Sequence, residues 1–267
     1  MFQPNRIVAL TTDFGISGSY VGAMRGAVLS RCTVARLVDI THQIPPQDVS
    51  EAARVLEAAA PYFPQGTVHL VVVDPGVGTR RREVVVSAGG QVFVGPDNGV
   101  LCRVSSRLGL DGAWAIEHES LRSDQVSSTF HGRDIFGPTA GCIANGFRPA
   151  DVGPPIVLIE PPESLTLPYS DGQVMLGAVE SVDHFGNILT NISVEQLPYS
   201  RPLVQLAGVE IQRWVDSYGQ AEPADVVALT SSEGMLEIAQ SNGNAAATLG
   251  VNRGTVVRVR PRGVREP

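Results

Sequence analysis

The chain has 267 residues, 43% of them hydrophobic, and a formal net charge of -7, enough apolar content to bury one large or two modest cores. Its acidic balance leaves no basic footprint for nucleic acid or an anionic membrane surface, so neither is expected as a partner. All 20 basic residues are arginines, which excludes a Schiff-base lysine and a P-loop lysine.

In chain order, the opening Met1-Phe2-Gln3-Pro4-Asn5-Arg6 lacks the long apolar core of a secretory leader. Apolar runs then alternate with helix-like stretches: Ile7-Val8-Ala9-Leu10 as a strand, 20–29 as a helix, Ala35-Arg36-Leu37-Val38 as a strand and 50–60 as a helix. In the last of these, Ala52, Ala53, Leu56, Ala59 and Ala60 fall at helical spacing. Ser50 is placed to cap its start, and Pro61 stops it. Val68 to Val73 reads as a buried strand. Such βαβα order predicts an α/β domain, a mostly parallel central sheet covered on both faces. Prolines and polar residues from Pro154 to Gly172 interrupt the pattern. Short alternating strands follow, such as Val174 to Val179 and Thr255 to Arg260, between Gly, Asn and Asp turns. The expected organisation is an N-terminal α/β domain over 1–160, a linker over 161–172 and an all-β, barrel-like C-terminal domain over 173–267, with a loose tail from Arg262.

No apolar run approaches the ~20 residues that span a bilayer. Cys32, Cys102 and Cys142 are odd in number, far apart and set among apolar or small residues, as reduced packing residues would be. A cytoplasmic location is expected.

Chemistry-bearing residues gather on loops. Asp74 falls at the carboxyl end of a predicted buried strand, where open α/β sheets collect ligands, and Asp74-Pro75-Gly76-Val77-Gly78-Thr79-Arg80-Arg81 folds back so that Arg81 can return toward it. Phe130-His131-Gly132-Arg133-Asp134 adds an imidazole flanked by a base and an acid that could orient it. Asp13, in Thr12-Asp13-Phe14-Gly15, repeats the strand-end logic. Its carboxylate suits the two hydroxyls of a ribose, and equally a helix N-cap. His42 reads as structural, and Asp97-Asn98-Gly99 as a tight turn facing a ligand. In the second domain, Asp183-His184-Phe185-Gly186-Asn187 offers an aromatic face beside an amide. That pairing suits an adenine, as a core Phe and a turn Asn would also explain. Asp13, Asp74, Asp97, Asn98 and His131 together also resemble a two-metal ligand set, so a metal-dependent phosphohydrolase is the rival enzyme reading.

These motifs, with the Asp39 to Val49 segment and Leu236 to Gly250, give the chain a resemblance that covers nearly its whole length. It resembles the S-adenosyl-L-methionine (SAM) hydroxide adenosyltransferases, the adenosine-forming SAM hydrolases related to fluorinase and chlorinase. The resemblance implies hydrolysis of SAM to adenosine and L-methionine without cofactor or metal, in a homotrimer whose site lies where one subunit's N-domain meets its neighbour's C-domain. By the same likeness Asp74, Arg81 and His131 bring water to the ribose C5', and Asp13 holds the ribose hydroxyls. Phe185 and Asn187 take the adenine, and Asp183 with Ser232 the methionine end. Halogenase relatives are expected to carry Tyr at Asp74, Trp at Gln47 and Ser at Gly132, and Arg where Glu233 follows Ser232. The first three differences point to water as nucleophile. A protein that binds SAM or adenosine without turnover is the non-enzymatic alternative.

Overall fold

A computed structural model describes residues 2–159, 168–171 and 173–262, and the chain divides into two compact units, Met1–Pro162 and Glu163–Pro267. Most of the linker expected over 161–172 and the tail beyond Arg262 lie outside the described residues.

The first unit is a six-stranded sheet with helices on both faces. In chain order it runs β1 (Ile7–Thr12), α1 (Tyr20–Arg31), β2 (Arg36–Thr41), α2 (Val49–Ala59), β3 (Val68–Val72), β4 (Glu83–Ala88), β5 (Gln91–Pro96), α3 (Cys102–Leu108), β6 (Leu110–Ala115) and α4 (Gly137–Ala144). The strand order is β2-β1-β3-β5-β4-β6. β2, β1, β3 and β5 pair in parallel, and β4 runs antiparallel to both β5 and β6. Alternation along β3 shows why the sheet is apolar throughout. Leu70 and Val72 pack with Met24, Val28 and Ile143 on one face, while Val71 and Val73 pack with Leu56, Phe93 and Val104 on the other. Fully burying such a Val or Leu contributes roughly 1.5–3 kcal/mol, so a strand that faces helices on both sides is favoured by every position.

The N-cap of α2 is Asp48 rather than Ser50, since the Asp48 side chain accepts from Glu51 N. Asp13 caps nothing, because α1 begins only at Tyr20, behind Ser19. The chain turns one way from β1 to β2 and the other way to β3, so β1 and β3 flank the point where strand order reverses. Open α/β sheets bind their ligands at such a reversal, beyond the carboxyl ends of the strands.

Among the described residues the second unit is all-β apart from one short α-helix and two 3₁₀ turns, Val194–Gln196 and Tyr218–Gln220. It comprises β7 (Tyr169–Asp171), β8 (Val174–Val182), β9 (Ile188–Ser193), β10 (Leu203–Leu206), β11 (Val209–Ile211), β12 (Val226–Thr230), β13 (Met235–Gln240), α5 (Ala245–Leu249) and β14 (Val256–Arg260). The antiparallel order is β11-β10-β14-β8-β9-β13-β12. The segment after β11 nearly closes it into a barrel, with Ala228 N donating to Arg213 O at 2.9 Å and Val215 N to Ala228 O at 3.0 Å. Val179, Ile188, Val204, Leu236, Ile238 and Val257 fill the interior. Among the described residues no helix is long and apolar enough to cross a membrane. The three cysteines are not joined in disulfides, Cys32 being buried and Cys102 and Cys142 half-buried.

Candidate active site

Asp74 stands just beyond β3, at the switch point. The loop after it is knotted tightly: Val77 N donates to Asp74 O and Thr79 N to Gly76 O. Gly78 holds φ +76 with its backbone against Ser128 O, a conformation and an approach that a side chain would not tolerate. The chain thereby returns to enter β4, and Arg81 lies back over Asp74. Arg81 Nε donates to Asp74 Oδ1 at 2.9 Å and Nη2 to Oδ2 at 2.5 Å, a bidentate pair with side chains only 8% and 5% exposed. Arg81 Nη2 also meets His131 Nδ1 at 2.6 Å. Of the three consecutive arginines, Arg81 alone joins this cluster. Arg82 pairs with Asp97, and Arg80 is exposed.

His131 precedes a π turn, Gly132–Phe136, that runs directly into α4; such turns recur at functional sites. Its sequence neighbours do not orient it. Arg133 and Asp134 pair with each other, and Asp134 also accepts from Ser127 N. The groups that do face His131 are Arg81 and Glu83. Burial, and then the Arg81 charge, push its pKa below the ordinary imidazole value, against the opposing pull of Glu83 and Asp74. Glu83 is the residue that the sequence reading missed. It accepts from Arg81 Nη1 at 2.8 Å and faces His131 Nδ1 at 3.3 Å. The signal was its spacing, because an extended chain places i and i+2 on one side.

Asp13 ends β1 in a loop stitched to the segment after β2. Gly15 N donates to His42 O at 2.7 Å, Thr12 Oγ1 bonds His42 Nδ1 at 2.8 Å, and His42 Nε2 faces Asp39. His42 is thus structural. Gln47, at φ +66, donates its N–H to Asp13 Oδ2 at 2.8 Å. Phe14 and Tyr20 pack edge-on to Phe130, next to His131, which ties the Asp13 loop to the Asp74–Arg81–His131 cluster.

The rival metal-ligand set is dispersed by its own partners. Both Asp74 oxygens are on Arg81, Asp97 is held by Arg82 and Ile159 N, and the Asn98 amide donates to Val73 O. Among the described residues no group of three or more His, Cys, Asp or Glu side chains is arranged to hold a metal ion.

In the barrel unit, Asp183 organises its turn. Its Oδ1 accepts from Phe185 N and Asn187 N, and its Oδ2 from Asn187 Nδ2 at 2.9 Å. Asn187 is buried, while Phe185 stands 73% exposed. Ser232 and Glu233 are exposed at the β12–β13 turn, which Ser231 Oγ fastens by accepting from Glu233 N and Met235 N. Glu237 lies within electrostatic reach of both turns. Burial first, then Asp183 and Glu233, raise its pKa against the lowering bond from Tyr218, whose hydroxyl donates to it at 2.6 Å. Tyr218 and Glu237 carried no sequence signal, being an aromatic in a loop and one charge in a strand.

Residues 8–153 match the family described as SAM hydroxide adenosyltransferase N-terminal domain, and residues 177–258 match its C-terminal domain. The chain belongs to the SAM hydroxide adenosyltransferase family. A relative from Salinispora tropica named (R)-S-adenosyl-L-methionine hydrolase is 38% identical over 263 residues, 96% of this chain and 98% of the relative. One of the same name from Thermus thermophilus is 35% identical, over 95% of this chain and 99% of the relative. A fluorinase from Actinopolyspora mzabensis is more distant, at 26% identity over 95% and 96%. The crystal structure of an uncharacterized conserved protein from Thermotoga maritima superposes with a TM-score of 0.89 at 33% identity, covering 95% of this chain and 99% of that one. At one position where the adenosyltransferase and halogenase branches were expected to differ, the packing is restrictive. A Cβ on Gly132 would meet the Phe14 ring at 3.2 Å and Val72 at 3.4 Å, so Ser there requires Phe14 to shift.

Proposed function

We propose that this protein hydrolyses SAM to adenosine and L-methionine, with Asp74, Arg81 and His131 delivering water to C5' of the ribose. The observation that carries the reading is the interlocked Asp74–Arg81–His131 cluster at the switch point of the sheet, in a chain of this family. A C5'–O bond forms as the C5'–S bond breaks, and its electron pair leaves with sulfur as neutral methionine. The leaving group therefore needs no acid, and the protein's task is to obtain an oxygen nucleophile from water, a very weak acid. A positioned base that takes the water proton contributes about 10²–10⁴-fold. Asp74 and His131 are the candidate acceptors.

Asp13 holds the ribose hydroxyls, Phe185 stacks on the adenine, and the side-chain carbonyl oxygen of Asn187 accepts from its amino group. Asp183 and Ser232 take the methionine end, where the acidic turns around Glu237 suit an ammonium or sulfonium charge. The binding residues fall in two units, and an exposed Phe185 ring fits a site completed by a neighbouring copy in a homotrimer. Sequestering opposite charges from bulk water there favours a transition state in which hydroxide and sulfonium cancel. Three cysteines outside any disulfide agree with a reducing, cytoplasmic setting.

The test is a chromatographic time course with each sulfonium epimer of SAM, in chelator, with and without chloride or fluoride. Adenosine and methionine in equal amounts, independent of halide and preferring the (R) epimer named for the relatives, are expected. A 5'-halogenated adenosine, or tight SAM binding without products, overturns the reading.

A further inference from the structure

The Asp74–Arg81–His131 cluster is completed by Glu83, and the bonding of one guanidinium decides which nitrogen of His131 carries a proton. Arginine has five N–H donors and no acceptor. One edge of Arg81, Nε and Nη2, is laid on Asp74. Beyond that edge, Nη1 reaches Glu83 Oε1 at 2.8 Å, and the second Nη2 proton reaches His131 Nδ1 at 2.6 Å. Only Arg81 can donate in the last bond, so Nδ1 carries the lone pair and a neutral ring keeps its proton on Nε2. Glu83 Oε1, 3.3 Å from the same Nδ1, is the acceptor that the opposite tautomer would need. It is turned instead to Arg81, while Arg122, anchored on Ile116 O, faces Oε2 at 3.4 Å.

Resting on the hydrolase reading for its catalytic meaning, we propose that Glu83 is a positioning residue that pins Arg81 against His131, holding His131 as a neutral Nε2–H donor rather than as the acceptor of the water proton. The acceptor is then Asp74, whose Oδ1 receives a single N–H from Arg81 and keeps a lone pair. The His131 Nε2–H serves to orient the water or the ribose. Burial, and then the Arg81 charge, oppose a second proton on the ring.

The test reads the tautomer and the turnover separately. Two-bond proton–nitrogen spectra of ¹⁵N-histidine-labelled protein, with the ring assigned by its loss in His131→Gln, should show Nε2 protonated and Nδ1 bare. Arg81→Met should reverse them by freeing Nδ1–H to meet Glu83. In kinetics, His131→Gln, which returns an N–H near the Nε2 position, should keep kcat within about tenfold while His131→Ala loses the roughly 10²-fold or more that one preorganised hydrogen-bond donor supplies. Glu83→Ala should lower kcat about tenfold with KM little changed, and Glu83→Gln, which still accepts from Arg81, should restore it. A bare Nε2 in the wild-type protein, or Gln no better than Ala at 131, overturns the inference. An absence of SAM turnover in the wild type removes the hydrolase reading and leaves the tautomer still readable.

Discussion

On β3, His69 is wholly enclosed, stacked on the Phe93 ring at 4.7 Å and bonded through Nε2 to Gln91 Oε1 at 2.6 Å. Burial pushes its pKa down from 6.5 to about 4. Between those values the unfolded chain binds a proton that the folded chain does not, so stability rises with pH across this window and is lost as pH falls through it. At about 1.36 kcal/mol per pKa unit the loss is on the order of 3 kcal/mol. Urea unfolding at pH 7 and pH 4.5 should show a smaller difference for His69→Leu than for the wild type. Asp74 answers to a different measurement, since its role is chemical. Asp74→Asn keeps the shape but cannot take a proton, and steady-state kinetics should show turnover lower by about 10²–10⁴-fold. Adenosine affinity by calorimetry should stay within a few fold, because Asp13, Phe185 and Asn187 are untouched.

At the level of elements, the approach of α4 to α1 sets the place of His131. Gly141 lies so close that a Cβ there would meet Val28 O at 2.5 Å and Arg31 Cβ at 2.8 Å. Gly141→Ala should therefore destabilise by about 1–3 kcal/mol through overpacking, and should lower kcat as well, since α4 continues the π turn that follows His131. Gly26→Ala, on the exposed side of α1 with nothing within 4 Å, is the control and should be neutral or stabilising in thermal melts. The βαβα periodicity made β1, α1, β2, α2 and β3 legible to within a few residues. It gave no sign of the π turn, because a five-residue change of helical pitch depends on what the turn packs against. The cap of α2 was misplaced by two residues for a similar reason, since Ser50 and Asp48 are both good caps and only the chain path through Pro45-Pro46 decides between them.

For the whole molecule, the proposed homotrimer makes activity depend on concentration. Dilution followed by light scattering and specific activity should show both falling together, and a fully active monomer would remove the shared site. The same assay with added adenosine should resist dilution, because a ligand held between copies stabilises the assembly by mass action.

The sequence by itself determined the architecture and offered the candidates for the site. Hydrophobic period and turn chemistry are local properties, so the doubly covered sheet, the all-β second unit and the strand-end placement of Asp13 and Asp74 could be read directly. Only the tertiary structure decided how those residues are spent. It chose Arg81 over Arg80 and Arg82, brought in Glu83, turned Arg133 and Asp134 away from His131, and committed Asp97 to Arg82. Each of these is a competition between charged groups for a limited number of donors and acceptors. Distances of a few tenths of an ångström settle such a competition, and no spacing along the chain encodes them.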